Sequence, residues 1–220
     1  MEVRRTSLIE GARAATGTAV IIDVFRAFTT AAFSIAAGAR EVVLLADHTH
    51  ALAIKAAHPA VFLTGEIDGR PIPGFDAGNS PSVIRHLDLS SRRVLQRTSS
   101  GTQGVVAATN ARRIVLGSLV IAGATLRHVR SIGDDVTLVA MGSNEIEEAD
   151  EDLACATYLE RLLRDGAAPS PSIRLLGDEG GWPEWFPRED AVLATQVDRF
   201  DFALPVARED GLLIARPVFV

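Results

Sequence analysis

The sequence predicts an α/β fold: a mostly parallel sheet flanked by helices, with a smaller C-terminal element packing beside it. Three observations carry this expectation. Apolar runs four to six residues long alternate with helical patterns through the first 165 residues, and strands separated by helical segments imply βαβ units. Runs such as 19–22 (AVII) and 42–46 (VVLLA) are continuously apolar, as buried strands are. The joints carry stop and start residues: Gly38, Pro59 and the pair Ser80-Pro81.

Residues 19–23 (AVIID) read as the first strand, followed by a small-residue helix over 29–37 that stops at Gly38. Residues 41–46 form a second strand, 48–58 a helix ended by Pro59, and 61–66 (VFLTGE) a third strand. A loop rich in Gly, Pro and Asp spans 67–80, and Ser80 caps a short helix running to Leu87. The fourth strand is 93–98 (RVLQRT), leading through Ser99-Ser100-Gly101-Thr102 into a helix that ends near Ala108. Strand 113–117, helix 121–131, strand 136–141 and helix 151–164 complete a main domain over 1–165. Residues 166–187 hold Pro169, Pro171, Gly177, Gly180, Gly181, Pro183, Pro187 and both tryptophans, and read as a loop or linker. Residues 188–220 supply a helix over 189–197 and a hairpin, 202–206 with 212–218, about Asp210-Gly211, completing the fold.

Of the 220 residues, 47% are hydrophobic and 23% charged, which is the composition of a chain with a full core and not of a disordered one. No apolar run approaches the roughly 20 residues that a membrane-spanning helix needs. The opening MEVRRTSLIEGAR has no apolar stretch suited to a signal peptide. Cys155 is the single cysteine, so an intramolecular disulfide is excluded and a cytoplasmic location is expected. A net charge of -6 argues against nucleic acid as a partner. Lys55 is the only lysine, so an anionic ligand would meet guanidinium groups and backbone N–H groups.

Ligands of open parallel sheets bind beyond the carboxyl ends of the strands. Here those ends carry polar residues. The first strand ends at Asp23, with Arg26, Thr29 and Thr30 beyond it. The third ends at Glu66, followed by Asp68, Arg70, Asp76, Asn79 and Ser80. The fourth carries Arg97 and opens into Ser99, Ser100, Gly101 and Thr102, while the sixth leads through Gly142-Ser143-Asn144 into the acidic stretch 145–152. Hard oxygen donors suit Mg2+, which takes one or two carboxylates plus water and phosphate oxygens. Arginines suit phosphate, and free N–H groups at 99–102 would form an anion nest. Plainer readings stand beside these: Asp23 as a helix cap, 99–102 as an ordinary turn, and the acidic stretch as a solvated helix start.

Other signatures are absent or misplaced. There is no P-loop, no G-x-G-x-x-G after a strand and no G-x-S-x-G elbow. Cys155 and Arg161 have C-x5-R spacing, but the intervening ATYLE is helical and offers no free N–H cradle, so Cys155 reads as a buried apolar side chain. Position 25 is Phe, where haloacid-dehalogenase-type phosphatases need a second Asp. The five histidines form no zinc pattern.

The strings VIIDVFRAFTTAAFSIAAGAREVV (20–43), GFDAGNSPS (74–82), RTSSGTQGV (97–105) with IVLGSLV after it, EDLACATYLERLL (151–163) and DRFDFALPVAREDGLL (198–213) together resemble the 2-phosphosulfolactate phosphatase, or ComB-like, family. The resemblance covers roughly residues 15–165 and 187–215. It implies an α/β, Mg2+-dependent acid phosphatase that converts 2-phosphosulfolactate to sulfolactate and phosphate on the route to coenzyme M. Carried over block by block, it implicates Asp23, Arg26, Thr29 and Thr30; Glu66; Asp76, Asn79 and Ser80; Thr98, Ser99, Gly101 and Thr102; and Glu151 with Asp152. Two departures are visible. Gly65-Glu66-Ile67 stands where the family has Gly-Glu-Arg, with Arg70 nearby, and the segment before the C-terminal element is short and lacks a Ser-His-Gly-Arg stretch.

The expectation drawn from all this is a phosphomonoester hydrolase acting on a small anionic phosphorylated metabolite. Asp23 and Glu66 would hold Mg2+, with Asp76, Glu151 and Asp152 as further ligands or support. Arg26 and Arg97 would clamp the phosphate. Thr29, Thr30, Asn79, Ser80, Ser99, Ser100, Gly101 and Thr102 would line its site. The nucleophile would be a water activated by the metal, or Asp23 itself. The alternative is a non-catalytic anion-binding or regulatory module of the same fold. A homodimer is the ordinary prior for such proteins.

Overall fold

The computed structural model describes residues 1–143, 147–171, 173 and 185–220. Asn144, Glu145 and most of the expected linker, including Trp182, lie outside the described residues. The chain folds as β1 (Val3–Ser7), α1 (Leu8–Ala14), β2 (Thr18–Ile22), α2 (Ala27–Ala36), β3 (Glu41–Leu44), α3 (His48–Ala57), β4 (Phe62–Ile67), β5 (Arg70–Pro71) and α4 (Pro81–Ile84). It continues through β6 (Arg93–Arg97), α5 (Gly101–Ala107), β7 (Arg113–Gly117), a 3-10 turn (Leu119–Ile121), α6 (Ala122–Ile132) and β8 (Val136–Ala140). The last elements are α7 (Asp150–Asp165), α8 (Arg188–Ala194), β9 (Leu204–Glu209) and β10 (Leu212–Ala215).

This is the expected α/β architecture, a mostly parallel sheet covered by helices. The strand order is β1-β8-β2-β7-β9-β10-β3-β6-β4-β5. Both faces are covered, which is why the strands read as unbroken apolar runs. Along β2, Ala19 and Ile21 pack into a core with Phe28, Ala31 and Phe33 of α2 and Val105 of α5. Their neighbours Val20 and Ile22 point the other way, toward Val129 of α6 and Cys155, Ala156 and Leu159 of α7. A third cluster joins Val43, Leu63, Leu95 and Ile214 beneath Ala51 of α3.

Two features differ from expectation. Residues 3–7 (VRRTS) form an unforeseen edge strand with only Val3 buried, held by parallel pairing with β8 and not by an apolar pattern. The C-terminal hairpin was expected beside the sheet. It is threaded into the middle instead, with β9 antiparallel to β7 and β10 antiparallel to β3. The sheet is thereby two parallel blocks, β1-β8-β2-β7 and β3-β6-β4, running in opposite senses. The carboxyl ends of the two blocks therefore do not share one straight rim. Neighbouring strands rotate by roughly 20–25° each, so twist accumulates across the hairpin. The loops after β2, β4 and β6 still meet: the Gly101 amide donates to Asp23 Oδ2 at 2.8 Å.

Candidate active site

Asp23 follows β2 directly and is buried. Its Oδ1 accepts the Ala27 N–H at 2.8 Å and its Oδ2 accepts the Gly101 N–H at 2.8 Å. Ala27 and Gly101 are the first residues of α2 and α5, so one carboxylate caps two helices and lies in the positive field of both N-termini. The helix-cap reading and the site reading of Asp23 therefore describe the same group. Burial raises its pKa to about 7; the charge of Glu66 pushes the same way, against the two amides and Arg26.

Glu66 ends the buried part of β4. Its Oε1 accepts the Ser99 N–H at 2.6 Å, and its Oε2 accepts the Gly69 N–H at 2.7 Å and the Ser99 hydroxyl at 3.1 Å. It thus ties the turn after β4 to the turn after β6. Arg97 is held by its neighbours' carbonyls, with Nε on Ala46 O at 3.1 Å and Nη1 on Glu66 O at 2.8 Å.

Two more carboxylates come from the first turn of α7. Asp152 is buried, and its oxygens accept the N–H groups of Val24 at 2.7 Å and Gly142 at 2.9 Å. Burial, then the charges of Asp23 and Glu151, lift its pKa well above the usual carboxylate range. Glu151 is half-buried, and burial followed by the charges of Asp23 and Asp150 raises it to about 7. Asp23, Glu66, Glu151 and Asp152 are thus linked through Asp23 by like-charge repulsion.

The remaining expected residues divide. Arg26 is 5% exposed and its charge is felt at Asp23. Asn79 is buried, with Oδ1 3.4 Å from Gln96 Nε2. Thr30 is fully buried and its hydroxyl has no partner among the described residues. Thr29 is turned inward, donating to Val24 O at 2.8 Å and meeting Ser118 Oγ at 2.7 Å. Ser80 does not cap its helix with its side chain; its hydroxyl donates to Asp190 at 2.8 Å. Asp76 stands apart from the carboxylates around Asp23: Lys55 Nζ at 2.8 Å and the Leu63 N–H at 2.7 Å hold it, making it a local brace between α3 and β4.

The anion nest expected at 99–102 is filled from within. Ser99 N–H goes to Glu66, Gly101 N–H to Asp23, and Thr102 N–H to the Thr98 hydroxyl at 3.1 Å. Ser100 is buried in the same turn. The Ser99 and Gly101 amides serve built-in carboxylates, because a buried carboxylate needs such donors as much as a bound phosphate would.

One residue was missed. Asp190, in the first turn of α8, is fully buried and pairs with Arg26 at 2.8 Å. In sequence it is one of two adjacent acids opening a helix, where the macrodipole favours acids on any exposed surface. Only the apolar Ala191, Leu193 and Ala194 around it hinted at burial.

Among the described residues, no three His, Cys, Asp or Glu side chains converge closely enough to cage a metal unaided. The donor set still fits a hard divalent ion. Mg2+ needs only one or two carboxylates, and Asp23 and Glu151 are oxygen donors close enough for the charge of one to raise the pKa of the other.

Fold and site together define an α/β protein with a buried, carboxylate-rich centre whose central Asp23 feels the charge of Arg26. The chain belongs to the 2-phosphosulpholactate phosphatase family, whose family model matches residues 4–180. A relative from Bacillus subtilis strain 168, named "Probable 2-phosphosulfolactate phosphatase", is 32% identical over 202 residues, covering 87% of each chain. One from Deinococcus radiodurans with the same name is 36% identical over 172 residues, 74% of this chain and 72% of the relative. No helix among the described residues is long and apolar enough to cross a membrane.

Proposed function

We propose that the chain is a Mg2+-dependent phosphatase acting on a phosphate monoester of a small acidic metabolite, with 2-phosphosulfolactate, the substrate in its relatives' names, as the first candidate. The observation that carries this is Asp23: a buried carboxylate at the start of two helices, in electrostatic reach of Glu66, Glu151, Asp152 and Arg26. Asp23 and Glu151 would hold the metal, which when bound would neutralise charge on the phosphoryl oxygens. Arg26 and Arg97 bind the phosphate, because guanidinium forks match its oxygens. Glu66 ties the turn after β4 to the turn after β6, where Arg97 and the Gly101 amide that holds Asp23 are found. Asp152 ties α7 to the loops after β2 and β8 and thereby places Glu151.

The test is a phosphate-release assay on 2-phosphosulfolactate and a generic phosphomonoester, with and without Mg2+, for wild type, Asp23→Asn and Glu151→Gln. Isothermal titration with Mg2+ alone is the second readout. The expected result is Mg2+-dependent turnover, lowered by at least about a hundredfold in Asp23→Asn, and weakened Mg2+ binding in both variants. Turnover that survives chelation and the Asp23→Asn change would overturn the reading. Phosphate binding without turnover of any ester would favour the non-catalytic alternative.

A further inference from the structure

We infer that Asp190 is the positioning residue that fixes the Arg26 guanidinium for its anionic ligand; this rests on the reading of Arg26 as a phosphate-binding side chain. Asp190 comes from α8, 164 residues along the chain from Arg26, and its side chain is 0% exposed. Three donors converge on it. Arg26 Nη1 reaches Oδ2 at 2.8 Å, and the Ser80 hydroxyl and Ser82 N–H reach Oδ1 at 2.8 and 2.9 Å. A carboxylate has roughly four acceptor positions, so Asp190 is nearly saturated and its orientation is fixed.

The guanidinium is held on other sides as well. Its centre lies 4.5 Å from the Phe186 ring and 5.6 Å from the Trp185 ring, and Nη2 makes a long contact, 3.4 Å, with Gly69 O. The two partners are not equally satisfied. The carboxylate is nearly filled, whereas among the described residues the guanidinium spends two of its roughly five N–H donors. A pair that only anchored α8 to α2 would be satisfied on both sides, and apolar packing would do that task at lower desolvation cost. Among the described residues, a carboxylate nearly filled at one end and a guanidinium with donors to spare at the other is the arrangement of an arginine held for a ligand. Arg26 follows Asp23 by three residues and its charge is felt there, so the guanidinium lies near the carboxylate centre.

The experiment measures inorganic phosphate binding by isothermal titration and phosphomonoester kinetics in wild type, Asp190→Asn, Arg26→Ala, the double variant and Ser80→Ala. Asp190→Asn keeps the shape and removes the charge. It is expected to raise both the phosphate Kd and the ester KM by about tenfold or more. The double variant should be no worse than Arg26→Ala alone, because the two residues act as one unit. Ser80→Ala keeps both charges, loosens Asp190 at one oxygen and should weaken phosphate binding by about two- to threefold.

A purely structural role would lower the melting temperature, leave the Kd of the folded protein unchanged and make the two variants' effects multiply; that result overturns the inference while leaving the phosphatase reading intact. If wild type binds phosphate in an Asp190-dependent way but hydrolyses no ester, the inference stands and the phosphatase reading falls. If wild type binds no phosphate, both fall. Should Asp190→Asn fail to fold, an unchanged phosphate Kd in Ser80→Ala overturns the inference.

Discussion

Gly101→Ala tests the double cap on Asp23 most directly. A Cβ at Gly101 would lie 2.7 Å from Asp23 Oδ2, 2.8 Å from Ala27 Cβ and 3.1 Å from Asp23 Cβ. Neither neighbour can step aside cheaply: Ala27 Cβ is fixed to the backbone of α2, and Asp23 is clamped by two amides. Either α5 or α2 must shift, an overpacking cost of about 1–3 kcal/mol. The shift also lengthens a hydrogen bond to a carboxylate, worth about 1.5–3 kcal/mol. Alanine returns at most about 1 kcal/mol in helix propensity. The net is roughly 2–5 kcal/mol of destabilisation, or a fall in melting temperature of about 5–15 °C for a chain of this size. Gly104→Ala, in the same helix, is the control. Its Cβ would meet Met141 Sδ and Cε, the mobile end of a long side chain, and Ile21 Cγ2 at 3.1 Å, so its cost should be smaller. Thermal melts by circular dichroism, with turnover measured well below each midpoint, check both. Gly101→Ala with wild-type melting and wild-type turnover would refute the claim that Asp23 is locked between two helix starts.

Three further outcomes follow from the same geometry. Glu66→Gln leaves one acceptor where two oxygens now take three hydrogen bonds, so turnover should fall by more than about tenfold and stability by about 1–3 kcal/mol, read by kinetics and urea titration. Asp76→Asn removes the charge partner of Lys55 in a part-exposed pair; urea titration should show a loss of about 0.5–1 kcal/mol with turnover unchanged. Glu41 is buried among Arg93 at 2.5 Å and Arg216 at 2.9 Å, and although burial opposes them these partners hold its pKa below the ordinary value. The stabilisation from a lowered carboxylate pKa is present above the unfolded value of 4.5 and lost as pH falls through the folded one. Glu41→Gln should therefore destabilise at pH 7, with the gap to wild type closing below about pH 4.5 in a pH series of melts.

Much of this was legible in the sequence because it is local. Strand β7 was expected at 113–117 and spans those residues, since an unbroken apolar run between turn residues leaves little choice. Asp23 and Glu66 stood out because each is a charge at the end of such a run. What escaped depends on distant partners. β1 has one buried residue and owes its existence to the pairing edge of β8. The reversed sense of the second block follows from where the hairpin inserts, which no local pattern encodes. The partner of Asp76 in the fold is Lys55, 21 residues away, which no local pattern announces. The 99–102 turn displayed its N–H groups plainly, but the acceptors of the Ser99 and Gly101 N–H groups come from β4 and from the end of β2.

The hairpin also explains why site and fold stand or fall together. β9 and β10 are the seam between two parallel blocks, and α8, just before them in sequence, delivers Asp190 to Arg26. The first block supplies Asp23 and, through α7, Glu151 and Asp152; the second supplies Glu66 and Arg97. Neither block alone holds both the carboxylate centre and the turn that caps it. A change that loosens the seam, such as Leu204→Ala in the core shared by α2 and β7, should cost about 2–5 kcal/mol. It should also separate Gly101 from Asp23 at the same time. Loss of activity should therefore track loss of the folded state across core variants of the hairpin, whereas variants at Arg26 or Asp190 should lose ligand affinity in protein that remains folded.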